Sequence, residues 1–230
     1  MALADDIRKL GADTRAALTA ALDYHYQTIA IWERMVADVS QGVTFGVQNK
    51  ATGRVADQAE VARNALAYID KYLTPATFQQ LITTFEAFFF DLLALWLRDH
   101  PGILLRKQVE LETVLAAADT TAVLQGVIDR ELNEVKYRKV AEWFEYLRKL
   151  VSVPGPSADQ VAALAEAKAS RDILVHGKGL VNPVYVAKAG AKARYAVGDV
   201  LELPDPYVRT TFGLVETVVG DVAATVASKA

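Results

Sequence analysis

Apolar positions along this chain recur mostly at helical spacing. From Ile7 to about Val39 an alanine-rich stretch carries Leu10, Leu18, Leu22, Ile29 and Val36, which predicts one long helix or two joined ones. Ser40 to Arg54 holds three glycines and reads as a loop or tight hairpin. Val55 to Leu73 returns to the helical period. Thr74-Pro75 then reads as an N-cap followed by proline at the first helical position. The helix it opens bears Phe85, Phe88, Phe89, Leu92, Leu93 and Trp96 on one stripe, with Phe90, Ala94 and Leu97 on a second side. A helix apolar on two sides belongs at the centre of a fold or at a subunit interface.

His100-Pro101-Gly102 ends that helix. A short helix is expected over Lys107 to Ala117, and Asp119 caps a long one reaching Leu150, with Leu124, Ile128, Leu132, Val135, Phe144 and Leu147 inward. Val153-Pro-Gly-Pro156 is a stop. Ser157 and Gln160 form a capping box for the next helix, which runs to His176. After Gly179 the pattern changes to alternation in Val184–Val186, Ala193–Val197 and Val200–Leu203, with Gly198-Asp199 between the last two. That predicts a small β-hairpin before a final helix starting at Asp205-Pro206. The fold class is therefore all-α, a helical bundle with a small β-hairpin between the last two helices, in one domain spanning 1–230. Residues 1–73 read as an N-terminal helical extension and 74–230 as the core bundle.

Composition narrows the function classes. With 230 residues, 52% hydrophobic and 23% charged, the chain can bury an ample core. It has no cysteine, which excludes disulfides and thiolate zinc sites and fits a cytoplasmic setting. Met1 to Ile7 lacks the pattern of a signal peptide, and Phe88 to Leu97 is too short to span a bilayer, so no membrane association is expected. The net charge of −3 gives no bulk attraction to nucleic acid, so any RNA contact must be local. Neither a Gly-rich phosphate loop nor a nucleophile elbow is present. His25 and His100 have no metal-ligand spacing with another histidine or a carboxylate cluster; no metal and no cofactor are expected.

The chemistry-bearing segment is RDILVHGKG, Arg171 to Gly179, which holds one of only three histidines. Asp172 and His176 are an i, i+4 pair, so the carboxylate can accept from the imidazole and fix its tautomer. Gly177 suits the C′ position, placing His176 at a helix C-terminus, where dipole and carboxylate both favour the imidazolium. Arg171 brings a fork of donors suited to phosphate oxygens, and Lys178 adds charge beside it. Arg171 and His176 lie ~140° apart around a helix, so they are expected to converge across a two-fold axis, each chain supplying one.

RDILVH followed by GKGLVNPVY resembles the RxxxxH motif and downstream segment of HEPN-domain proteins. FEAFFFDLLALWL is similar to the preceding helix in the RiboL-PSP-HEPN-like and related stand-alone branches. The resemblance runs from about Phe85 to the C-terminus. It implies an all-α bundle of HEPN type that dimerises with both motifs facing a shared cleft. It also implies a metal-independent endoribonuclease acting in toxin–antitoxin systems or phage defence. By the same resemblance, His176 would deprotonate the ribose 2′-hydroxyl or protonate the leaving 5′-oxygen, Arg171 would stabilise the phosphorane, and a 2′,3′-cyclic phosphate would result. Asp172 stands where the family often has asparagine, which adds negative charge beside the expected phosphate.

The candidate catalytic residues are thus Arg171, Asp172 and His176. Lys178, Asn182 and Tyr185 are candidates for substrate binding, Asn182 and Tyr185 by ordering the backbone and Tyr185 also by stacking on a base. Glu86 and Asp91, set among aromatics, need partners; each pairs with Arg171, lines the cleft or faces the surface. Lys188, Lys192 and Arg194 either steer RNA or form a solvated edge. The expected partners are RNA, a second copy of the chain, and an antitoxin or defence-system protein. The alternative is a catalytically inactive module of the same fold that binds RNA, a nucleotide or a partner protein.

Overall fold

The computed structural model describes residues 2–230 and is mostly helical. Helix α1 (Ala2–Ser40) is followed by α2 (Gln58–Tyr68), a π-helical turn (Ile69–Leu73) and α3 (Thr74–Asp99). Then come α4 (Leu111–Ala116), α5 (Thr120–Lys136), α6 (Val140–Val151), α7 (Ala158–His176), α8 (Pro183–Ala189) and α9 (Asp205–Ala227). α3 is the centre. It packs against α1, α5, α7 and α9, and Phe78, Phe85, Phe88, Phe89, Leu92, Leu93, Trp96 and Leu97 are all buried. Around Phe89 the rings of Trp143 (5.7 Å, stacked) and Phe144 (5.2 Å, edge-on) join α3 to α6. Such offset and edge-on pairs add to the burial of the rings. Although α1 lies in the stretch read as an extension, its Ile7 and Leu18 belong to the same core cluster.

Local chemistry accounts for most of the element ends. Asp57 caps α2 by accepting from the Glu60 N–H (2.8 Å), and Asp119 caps α5 by accepting from the Ala122 N–H (2.8 Å). The Ser157–Gln160 capping box starts α7, with both reciprocal bonds present. Beyond Ser40, which ends α1, the chain to Arg54 is a loop whose end is pinned by an isolated antiparallel bridge between Gln48 and Val55.

Four sequence expectations are corrected. Thr74 is no N-cap: it is itself helical (φ −61°, ψ −48°), and Gln58 to Asp99 runs as one helix through the π turn. Pro75 has no N–H and its ring crowds the preceding turn, so the helix widens there, with the Thr74 N–H reaching back to the Ile69 carbonyl. The helix expected to reach Leu150 breaks between Lys136 and Val140, because Lys139 turns extended (ψ 152°) and its N–H is taken by the Glu142 side chain (2.8 Å).

The expected β-hairpin does not form: Val184–Val186 is helical, and Ala193–Val197 and Val200–Leu203 are irregular chain. Asn182 caps α8 by accepting from the Tyr185 N–H (3.0 Å), and Pro183 supplies the preset φ of a first helical residue. The Val184–Tyr185–Val186 alternation is the edge of a helical face on which Tyr185 and Ala189 point inward. Of the extended pairing only a bridge between Leu180 and Val200 forms. Gly177 is not left-handed either (φ −107°); Lys178 (φ 52°) and Gly179 (φ 80°) make that turn. Gly177 is needed for space, since a Cβ there would sit 3.0 Å from the Ile173 carbonyl oxygen.

Two helical stretches, Gln58–Asp99 and Asp205–Ala227, have the length and hydropathy to cross a membrane, more than the Phe88–Leu97 run suggests alone. In this fold the apolar side chains of α3 and α9 face each other, α1 and the rest of the core.

Two predictions test this packing. A Cβ at Gly11 would lie 2.6 Å from Ala223 Cβ, where α1 crosses α9. Gly11→Ala gains up to ~1 kcal/mol of helix propensity, whereas overpacking a tight contact costs about 1–3 kcal/mol. The overlap therefore wins, and Gly11→Ala should lower the urea midpoint, with Gly11→Val lowering it further. The second concerns His25, which is buried (2% exposed) with no protein partner for Nδ1. Burial lowers its pKa, with Asp205 opposing and Arg209 reinforcing the shift. A base whose folded pKa is depressed takes up its proton more readily unfolded. Its contribution is complete above the ordinary value of ~6.5 and is lost as pH falls below it. The urea midpoint should drop between pH 7.5 and 5.5, and His25→Gln should flatten that drop.

Candidate functional site

The polar edge of α3 and one face of α7 form the walls of a cleft of about 730 Å³. On α3, Thr83, Glu86, Ala87, Phe90 and Asp91 follow at helical spacing and line one wall. On α7, Lys168, Asp172 and His176 recur every four residues on the opposite wall, with Arg171 beside them. The turn between α5 and α6 supplies Lys136, Tyr137, Arg138 and Lys139, α6 supplies Trp143, and α8 supplies Lys188. Six cationic side chains thus face three carboxylates, Glu86, Asp91 and Asp172, in a chain whose net charge is −3. Charge is segregated into this cleft, and a concave cationic site concentrates field on an anion.

Five of these groups form one ion-pair network. Arg171 Nη2 donates to Glu86 Oε2, and Arg171 Nη1 lies 3.3 Å from Asp172 Oδ1. Lys168 Nζ is 3.1 Å from Glu86 Oε1 and donates to Asp172 Oδ2 at 3.4 Å. Lys188 Nζ donates to the same Oδ2 at 3.1 Å. Burial pushes the Asp172 carboxyl up, but Lys168, Lys188 and Arg171 together outweigh it and hold the pKa below the usual carboxylate value. Asp172 therefore stays ionised at neutral pH. Arg171 is mostly buried (15% exposed), and its Nε has no protein acceptor. The aliphatic stem of Lys168 brings its ammonium 5.7 Å from the Trp143 ring, and that of Lys136 brings its own 5.1 Å from Phe90.

The motif residues come together differently from the sequence expectation. Arg171, Asp172 and His176 line one cleft within one chain, although Arg171 and His176 diverge on the helix. The long Arg171 side chain turns toward α3, and the cleft wraps the end of α7. The expected hydrogen bond from His176 to Asp172 is not formed; Asp172 is occupied by cations instead, and His176 is exposed. Lys178, Asn182 and Tyr185 lie outside the cleft lining. Lys178 is exposed in the left-handed turn, and Asn182 orders the backbone as the α8 cap.

Tyr185 is buried and cannot stack on a base. Its hydroxyl donates to Glu166 Oε1 (2.8 Å) and accepts from the Arg194 backbone N–H (3.1 Å). Glu166, 3% exposed, also accepts from Ser170 Oγ (2.7 Å), Arg194 Nε (3.0 Å) and the Tyr207 hydroxyl (2.7 Å). Of the three basic residues expected on a hairpin, Arg194 belongs to this buried hub, Lys192 pairs with Asp159 (2.6 Å), and only Lys188 reaches the cleft. His100 stacks on Trp96 (4.2 Å) at the end of α3. Among the described residues no three His, Asp or Glu side chains cluster as a metal site would require.

The sequence reading missed Lys168 and the Lys136–Lys139 turn. Lys168 was readable from its i, i+4 spacing to Asp172. The turn left a fainter sign, an interval of five between the apolar Val135 and Val140 where a continuous helix repeats every three or four. Comparison of the chain with models of protein families, with curated proteins and with solved structures finds no match.

The Glu166 hub ties α7 to α8 and α9 behind the cleft and is open to a direct test. Removing the carboxylate leaves the Arg194 guanidinium without its buried counter-charge, a loss of about 3–5 kcal/mol for such pairs. Glu166→Ala should lower the urea-unfolding free energy by that order, whereas an exposed change such as Glu112→Ala should leave it within ~0.5 kcal/mol.

Proposed function

We propose that the chain is a metal-independent endoribonuclease of HEPN type, and that the α3–α7 cleft receives the phosphodiester backbone of single-stranded RNA. One observation carries the reading: Arg171, Asp172 and His176 line the same cleft that gathers six cationic side chains in an otherwise acidic chain. The exposed His176 imidazole takes the proton of a ribose 2′-hydroxyl. The 2′-oxygen forms a bond to the adjacent phosphorus and the bond to the 5′-oxygen breaks. That oxygen takes a proton from water as it leaves, the imidazolium returns its own to solvent, and a 2′,3′-cyclic phosphate remains. Arg171 and Lys168 stabilise the charge that develops on the non-bridging oxygens. Asp172 acts in this scheme by holding Lys168, Lys188 and Arg171 in place, not by orienting the histidine.

A cytoplasmic toxin or phage-defence role, checked by an antitoxin or defence-system partner, belongs to the same proposal, as does a homodimer. Support for a second copy is the apolar surface beside the motif, where Val175, Leu180, Val184 and Val200 are exposed. The second reading is an RNA- or nucleotide-binding module without turnover. It is favoured by the bond between Arg171 and Glu86, which engages the guanidinium before any phosphate arrives.

Incubation of end-labelled single-stranded RNA with the protein in EDTA separates the two. The nuclease reading expects cyclic-phosphate ends, a rate reduced about 10²–10⁴-fold by His176→Ala, and a loss of similar order with Arg171→Ala. RNA that is bound but uncut by wild type selects the binding module. RNA that is neither bound nor cut removes the nuclease reading and the RNA-binding form of the module.

A further inference from the structure

Tyr137 is 87% exposed, the most exposed of the large hydrophobic side chains among the described residues, yet it lines the cleft. It sits where α5 stops and α6 restarts, in a turn held by the Arg138 N–H on the Val135 carbonyl (3.0 Å) and by Glu142 on the Lys139 N–H. Lys136, Arg138 and Lys139, all exposed, flank it in sequence and line the same cleft. Below the turn the buried rings of Phe90 and Trp143 reach the same cavity. The exposed phenol ring therefore contributes little to core packing, and the turn that carries it brings three cations to the same cleft, on a different element from the α7 motif. Grooves that hold single-stranded nucleic acid combine these two features, cations along the backbone and an aromatic face on which a base stacks.

We infer that the Lys136–Lys139 turn is a second subsite of the cleft. Tyr137 stacks on a nucleobase next to the phosphate held by Arg171 and Lys168, while Arg138 and Lys139 hold the following phosphate. The inference rests on the RNA reading above and adds the ligand's class: single-stranded RNA of two or more nucleotides, rather than a mononucleotide or a free inorganic anion. Stacking requires only a π-face, so the subsite tolerates any base.

Binding of a fluorescein-labelled, fully 2′-O-methylated decauridylate, which has no 2′-hydroxyl to react, tests this by anisotropy. Inorganic polyphosphate serves as a competitor that carries charge but no base. Tyr137→Ala should weaken RNA binding about tenfold, as loss of one stacked base does, and leave the polyphosphate inhibition constant unchanged. Tyr137→Trp should restore RNA affinity. Because the side chain is exposed, each variant should keep the wild-type Tm. Equal losses toward RNA and polyphosphate would overturn the stacking assignment. So would a Tyr137→Ala protein with wild-type RNA affinity when Arg171→Ala binds weakly, and that result would leave the cleft reading standing. Failure of the wild-type protein to bind the oligonucleotide at all would overturn both.

Discussion

α3 is apolar around most of its circumference, and the fold follows from where that surface can be hidden. α1 and α9 cover one side, α5, α6 and α7 the other, and Phe89 meets Trp143 and Phe144 where the two layers join. A fully buried phenylalanine or leucine contributes about 1.5–3 kcal/mol, so a helix carrying so many of them dominates the choice of neighbours. What α3 leaves uncovered is the strip from Thr83 to Asp91. α7 is held opposite that strip by the Glu166 hub and by α8, and the space between them is the cleft. The candidate site is therefore a consequence of how the central helix is packed.

Within that space the electrostatics are organised around Glu86 and Asp172. Two mostly buried cations, Lys168 and Arg171, and the exposed Lys188 share two carboxylates, which keeps charged groups in a partly desolvated wall at tolerable cost. The arrangement retains an excess of positive charge, and the uncommitted cations lie on the α5–α6 turn. Under the proposed function, an incoming phosphate has to compete with Glu86 for Arg171, so affinity would be set by that competition as much as by the number of cations.

Much of the helical framework was legible in the sequence because its signals are local. The α3 stripe, the Asp119 cap, the Ser157–Gln160 box and the restart at Asp205 each depend on residues within a turn or two of one another. The errors arose where a short pattern fits two structures. Val184–Val186 alternates like a strand but lies beside an Asn-Pro cap that commits it to helix. Thr74-Pro75 imitates a helix start, yet the preceding turn absorbed the proline by widening. The gap between Lys136 and Val140 has neither proline nor glycine to announce it.

At the site, Arg171, Asp172 and His176 were visible as a motif, and Glu86 as a carboxylate in need of a partner. The partners themselves were not. Which cation reaches Asp172, and that Tyr185 is sealed against Glu166, depend on how α3, α7 and α8 cross, and no spacing within a single segment encodes that. The most direct measurement of the central claim is a titration of ¹⁵N-labelled protein with a short single-stranded RNA, followed by NMR. Shifts are expected at the Trp143 indole, the Arg171 side chain and the amides of the Lys136–Lys139 turn. Shifts confined to surfaces away from these groups, or none at saturating RNA, would contradict it.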